Sequence, residues 1–165
     1  MFKKGDLVLH RRHGAGTVVE TRKMQITADE QVYYVIDLVV GERLLIPAKQ
    51  SEQLGLSEIV SPEIIINVLS DTPQELADDF RLRQTEIDRK IGTGDPLRIA
   101  EALRDLSWRG QTIKPSSGDT KLMDKAHKFL SGLLAAQPSI DAQEASRRLD
   151  ATLEQAFLLQ DDVPA

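Results

Sequence analysis

Gly16-Thr17-Val18-Val19-Glu20-Thr21, then Gln31-Val32-Tyr33-Tyr34-Val35-Ile36-Asp37-Leu38, then Arg43-Leu44-Leu45-Ile46-Pro47 are three runs of β-branched and aromatic residues that decide how the chain begins. Asp6-Leu7-Val8-Leu9-His10 precedes them as a fourth. Gly14-Ala15-Gly16, Ala28-Asp29-Glu30 and Gly41-Glu42 separate the runs, and these are residue types that turns select. Four or five short strands joined by tight turns predict a small, strongly curved barrel. A barrel of that size has little interior, so its expected product is a binding surface and not a deep catalytic pocket.

From Ser61 onward the alternation stops and a helical period replaces it. Ser61-Pro62 offers an N-cap and first helical residue for a short helix over 63–69, followed by Asp71-Thr72-Pro73. A second helix is expected from about Pro73 to Ile91, with Leu76, Phe80, Ile87 and Ile91 on one face and Gly92-Thr93-Gly94 at its end. Asp95-Pro96 opens a third, with Ile99, Leu103 and Leu106 as its stripe and Gly110 at its end. Ser116-x-x-Asp119 has the spacing of a capping box and precedes Leu122, Ala126, Phe129, Leu130 and Leu133. After Gln137-Pro138-Ser139, Ala142, Ala145, Leu149, Leu153 and Ala156 fit a last helix. The fold class is therefore α+β, a small N-terminal β-barrel followed by an all-α bundle. The expected division is a β domain over 1–60, a short helix and linker over 61–72, a helical domain over 73–160 and a frayed tail over 161–165.

The 165 residues include no cysteine, which excludes a disulfide scaffold, a thiolate zinc site and a thiol enzyme. No apolar run approaches the roughly 18 residues of a membrane span, and the first residues lack a secretory signal's apolar core, so a cytoplasmic protein is expected, with no membrane partner. The net charge of -5 argues against strong nucleic-acid binding only if charge is evenly spread. It is not. Residues 80–130 carry eleven basic and seven acidic side chains, while 61–79 carry five acidic and no basic ones. A modest phosphate-facing surface fits that segregation.

Catalytic groupings are scarce. His10 and His13 stand three apart, a spacing that puts them on opposite faces of a continuous strand, and neither Cys nor a third His is near, so no metal is expected. His127, between Lys125 and Lys128, is expected to face solvent or phosphate. Ser117-Gly118-Asp119-Thr120-Lys121 superficially resembles a phosphate loop but lacks its glycine-lysine frame. Asp78-Asp79, adjacent on a helix, would diverge. Two aromatics carry the remaining information. Trp108 falls outside the apolar stripe beside Arg109, either partly exposed or packed on a neighbouring helix, and Phe80 shares a face with core residues by period yet stands next to Arg81 and near Arg83, the composition of an apolar wedge flanked by cations.

Phe2-Lys3-Lys4-Gly5-Asp6-Leu7-Val8-Leu9-His10, with His13-Gly14-Ala15-Gly16 after it, resembles the opening of the CarD/CdnL family of bacterial transcription regulators. Glu20-Thr21-Arg22, Leu44-Leu45-Ile46-Pro47-Ala48, Gly94-Asp95-Pro96, Arg104-Asp105-Leu106 and Ser116-x-x-Asp119 with Lys121 and Lys125-Ala126 continue the resemblance in family order over about residues 2–135. It implies a Tudor-like N-terminal barrel that docks on the β subunit of RNA polymerase, and a helical domain that touches promoter DNA at the upstream edge of the bubble. Arg22 matches a polymerase-contacting arginine of the family. Leu45 stands where some members have a second one, just before the Ile46-Pro47 step, and Arg43 on the same strand face is its substitute. Phe80 occupies the position of the family's minor-groove tryptophan. Arg83, Arg109, Lys121 and Lys125 match basic positions on the DNA-facing side, to which Arg81 and Trp108 add candidates, while Thr120 stands where a lysine occurs.

These readings converge on a regulator without catalysis or cofactor that modulates open-complex stability. Its oligomeric state is open, with a monomer expected. The alternative keeps the polymerase-binding barrel and makes the helices a protein adaptor, which a buried Phe80 would favour. A small hydrolase finds no nucleophile and base in the sequence. The Val8-Leu9-His10 opening also resembles the polymerase-interaction module of transcription-repair coupling factor, a motor whose motifs this sequence lacks.

Overall fold

A computed structural model describes residues 1–26, 28–137 and 140–161. Five antiparallel strands come first: β1 (Leu7–His10), β2 (Gly14–Met24), β3 (Gln31–Leu38), β4 (Arg43–Pro47) and β5 (Leu56–Glu58). Their order is β4-β3-β2-β1-β5, an open sheet and not the closed barrel expected from the strand spacing. Closure needs β4 to pair with β5, but Pro47 ends β4 without an amide donor and a single 3-10 turn, Ala48–Gln50, diverts the chain. β5 then has three residues, all spent on β1. Curvature comes instead from β2, whose register with β3 shifts between Val18 and Glu20, leaving Val19 as a bulge that bends the strand.

The alternation gives the sheet two faces. Val8, Val18, Tyr34, Ile36, Ile46 and Leu56 form a core on one of them, closed by Phe2, whose ring meets Tyr34 edge-on at 5.6 Å and whose amide donates to the Tyr34 hydroxyl. Leu9 and Ala15 leave the sheet on the other side and join the core of the helices.

Those helices are α1 (Pro62–Ser70), α2 (Phe80–Gly92), α3 (Pro96–Arg109), α4 (Ser117–Ala136) and α5 (Ala142–Asp161). Three boundaries differ from the sequence reading. The short helix expected over 63–69 is present as α1, but it packs into the helical core, because Ile65 and Leu69 are fully buried against α3 and α5 and the Gln137 side chain donates to the Val60 carbonyl just before it. Asp161 closes α5 instead of opening a tail, and residues 162–165, like Pro138 and Ser139 of the expected break, lie outside the described residues.

The third difference is the start of α2, seven residues later than the periodicity suggests. Residues 71–79 form an extended strap whose backbone finds side-chain partners from elsewhere. The Gln74 amide donates to Asp105, and the carbonyls of Ala77 and Asp78 accept from Arg83. Asp79 then caps α2 by accepting from the amides of Arg81 and Leu82. A segment satisfied in this way gains nothing by becoming helical.

Besides the core shared through Leu9 and Ala15, the β1–β2 turn and the α2–α3 turn approach each other closely. Gly94, at φ +69°, turns the chain between α2 and α3 against Arg11 of the β1–β2 turn, while Asp95 caps α3 through the Leu97 amide and Pro96 supplies its first residue.

Candidate functional site

The register of β2, β3 and β4 places Arg22 opposite Tyr33 and Tyr33 opposite Pro47, Val35 between Glu20 and Leu45, and Asp37 opposite Arg43. Arg22, Arg43, Leu45 and Pro47 therefore share the sheet face that does not carry the Tyr34 core. Tyr33 and Val35, which the sequence reading did not single out, form its buried floor, and Leu45 stands 44% exposed on it. Neither arginine is a bare cation. Arg22 makes a two-pronged pair with Glu20, at 2.7 and 3.1 Å, and Arg43 does the same with Asp37, at 2.6 and 3.1 Å. The hydrogen bond from each arginine holds its carboxylate partner below the ordinary range, and the arginine's own pKa is raised in return. The face offers guanidinium edges framed by carboxylates around an exposed leucine, at an open sheet edge where the outer backbone groups of β4 have no strand partner among the described residues.

Phe80 is the first residue of α2, because Asp79 caps the helix directly before it. Shared periodicity with Leu76 requires one continuous helix, and Leu76 belongs to the strap. The ring is accordingly 54% exposed instead of core, Leu82 beside it is 65% exposed, and the Arg81 guanidinium lies 5.7 Å from the ring centroid. Leu82 was missed by the sequence reading and no local signal marks it.

Arg83 has a different role from the phosphate contact expected of it. Its side chain is 5% exposed and locked in a two-pronged pair with Asp119, both contacts at 3.0 Å, besides the two strap carbonyls. Four of its five N–H donors are spent inside the protein and the side chain is covered, which takes it away from the DNA-facing surface. The pair brings the first turn of α2 beside that of α4, where Ser116 and Asp119 form the expected capping box and Gln84 donates to Ser116. Exposed Thr120 and Lys121 follow immediately. Lys125 lies a further turn along α4, where it lines a cleft facing the β1–β2 turn.

Two further expected DNA contacts are engaged within the protein. Trp108 packs on Phe157 of α5, ring centroids 5.2 Å apart, so it is half-buried at a helix contact. Arg109 reaches the strap at Asp78, 3.0 Å away, and is largely covered. His127 is likewise taken up: Nε2 meets Asp150 of α5 at 2.8 Å and Nδ1 meets Ser131.

His10 and His13 do not point apart, because the strand stops at His10 and the turn folds His13 back over it, with ring centroids 4.6 Å apart. Among the described residues no three His, Asp or Glu side chains gather to hold a metal. His10 Nδ1 accepts from the amides of Arg12 and His13, so the neutral ring holds the turn. Burial, and after it the neighbouring charges of His13, Arg12 and Arg11, push its pKa down against one opposing backbone hydrogen bond at Leu54. An imidazole that binds its proton less readily when folded costs stability as pH falls below the ordinary value near 6.5. Thermal melts at pH 7.5 and 5.5 should therefore show a larger acid-side drop for wild type than for His10→Gln; equal drops would remove this role.

Comparison with known families completes the picture. Residues 2–60 match the CarD-like/TRCF RID domain, and residues 64–150 match the CarD C-terminal domain. The chain belongs to the CarD family. A curated relative, "Putative transcription factor YdeB" of Bacillus subtilis (strain 168), is 25% identical over 134 residues, covering 79% of this chain and 88% of that protein. The family boundary between 60 and 64 coincides with the start of α1, placing that helix with the C-terminal domain it packs into. CarD-family transcription-factor domains thus account for nearly the whole chain, and the CarD-like/TRCF RID group is one that interacts with RNA polymerase. Among the described residues, no helix is long and apolar enough to cross a membrane.

Proposed function

We propose that this chain regulates transcription without catalysis, by docking on the β subunit of RNA polymerase and engaging promoter DNA at the upstream edge of the bubble. The sheet face of Arg22, Arg43, Leu45 and Pro47 is the docking surface, and Phe80, with Arg81, Lys121 and Lys125, is the DNA contact. The observation that carries the reading is the exposed Phe80 ring at the head of α2, flanked by Leu82 and Arg81, since a solvent-facing aromatic and a solvent-facing leucine at one helix tip have no internal purpose. Inserted at a base step, such a wedge favours kinked or unpaired DNA, and its differential affinity shifts the closed-open equilibrium. Docking raises the local concentration of this weak contact, which reconciles DNA engagement with a net charge of -5. Exposure of Phe80 also withdraws the observation that would have favoured a protein adaptor.

Two measurements test the halves separately. Leu45→Glu and Arg22→Glu should each weaken binding to a purified β-subunit lobe by about tenfold or more, as expected for substitutions at the centre of an interface. An unchanged Kd for both removes the docking face. Phe80→Ala should lower affinity for pre-melted promoter DNA by about tenfold while leaving duplex binding and the melting temperature near wild type, stacking contributing about 1–3 kcal/mol per base. Equal affinity of variant and wild type for the bubble defeats the wedge.

A further inference from the structure

The cleft between the β1–β2 turn and α4 has a volume of about 420 Å3. Arg11, Arg12 and His13 line it from the turn, and Lys125 and Lys128 from α4. Its lining holds no Asp or Glu, and none of these five basic side chains forms an ion pair among the described residues. For the two arginines that is unusual here: most of the others in the molecule, Arg22, Arg43, Arg83, Arg98, Arg104, Arg109, Arg147 and Arg148, have a carboxylate partner. Between the cations the floor is apolar, formed by Val40, Ile91, Ile99 and Phe129. Val40 is 58% exposed at its mouth, whereas Ile91 and Ile99 are buried at its base.

Unpaired cations around a concave apolar floor attract a small molecule with a polyanionic end and a flat, weakly polar body. We propose that the cleft is a binding site for a nucleoside phosphate, the base resting on Val40 and Phe129 and the phosphates held by Arg11, Arg12, Lys125 and Lys128. Several cations exceed what a single carboxylate needs, and the volume lies within the roughly 300–1,000 Å3 of small-ligand sites. Duplex DNA is the rival occupant, since Lys125 also belongs to the proposed DNA surface. A convex sugar-phosphate backbone would touch the rim and leave the apolar base of the cleft empty. A nucleotide seated there bridges the sheet and α4, so its binding reads the placement of both family domains.

Isothermal titration of the full chain with ATP and GTP tests this, with inorganic triphosphate and adenosine as the separated halves of the ligand and a 12-base-pair duplex as competitor. At least one nucleotide should bind saturably and more tightly than either half. Arg12→Glu and Lys128→Glu should each weaken it at least tenfold through the phosphates, and Val40→Asp through the base; Lys49→Glu, outside the cleft, should not. All four positions are exposed, and melting curves confirm that each variant folds. Three results overturn the proposal: no saturable binding of either nucleotide at millimolar concentration, triphosphate binding as tightly as nucleotide with Val40→Asp silent, or displacement of bound nucleotide by the duplex. Neither success nor failure here depends on polymerase docking.

Discussion

Asp119→Ala lowers the stability of this protein by about 3–5 kcal/mol, the usual cost of stripping one partner from a buried ion pair and leaving the other charge uncompensated. The orphan is Arg83, with a side chain only 5% exposed. Two more losses accompany it: the Ser116 amide loses its acceptor at Asp119, and Arg83 loses the anchor that aims it at the strap carbonyls of Ala77 and Asp78. Arg83→Met with Asp119→Leu should recover much of the loss, because the paired charges go together. Urea denaturation midpoints measure all three. A single-variant loss below about 1 kcal/mol would mean the pair is solvated in solution.

Acidification gives the same prediction a sign. Burial opposes the charged Asp119 carboxylate, but the hydrogen bonds from Arg83 and from the backbone and hydroxyl of Ser116 outweigh it and hold the pKa below the ordinary 3.8. A depressed carboxylate contributes stability that is fully present above the unfolded value and is lost as pH falls through the folded one. The gap between wild type and Asp119→Ala should therefore stay constant from neutral pH down to about pH 5 and close below pH 4.

Gly94→Ala is the second large effect. A Cβ at position 94 would stand 2.6 Å from the Arg11 carbonyl oxygen and 2.9 Å from its Cα, so backbone must move. The left-handed φ of +69° adds about 1–2 kcal/mol for any residue with a Cβ, and the overpacking about 1–3 kcal/mol more. The strain falls where the sheet leans on the α2–α3 turn, so the variant should melt earlier and expose the β1–β2 turn to proteolysis first. Gly118→Ala is the informative control. There the obstruction is the Gln84 side chain, which can swing away, and the loss should be much smaller. Equal losses at the two positions would show that the sheet does not depend on the Arg11 contact.

How much of this was legible in the sequence follows from the range of each interaction. The strands, the caps at Asp95 and Ser116 and the stripes of α3, α4 and α5 depend on neighbours within a turn or a hairpin, and the runs of residues display them. Barrel closure depends on a strand pair that Pro47 and a three-residue β5 prevent, and no local pattern reports that. The start of α2 depends on Asp105 reaching the strap from α3 and on Arg83 of α2 itself turning back to it, held there by Asp119 of α4. Arg83 looks like its basic neighbours until Asp119, 36 positions away, is placed beside it. Phe80 lies on the Ile87 face of α2 by period, and only the helix boundary, which leaves it at the exposed tip, sets it apart from that core residue.

Several motifs that carry the family resemblance prove to be folding devices. Gly94-Asp95-Pro96 makes a close turn and a cap, Ser116-x-x-Asp119 a capping box and an ion pair, and Arg104-Asp105 ties the end of α1, through the Val68 carbonyl, and the strap, through the Gln74 amide, to α3. Such devices identify a scaffold. The groups that face outward, Leu45 and Phe80, are those on which members of one scaffold are free to differ.

Leu9 and Ala15 leave the sheet to enter the same apolar core as Ile65, Leu103 and Leu130. No tether of loose chain separates the two halves, so the span from Leu45 to Phe80 is a fixed length, like that between the jaws of a caliper. On the proposed function, a molecule built this way would select by distance: with Leu45 seated on the polymerase, Phe80 would meet the DNA at a single offset, and promoters would be sorted by what lies there.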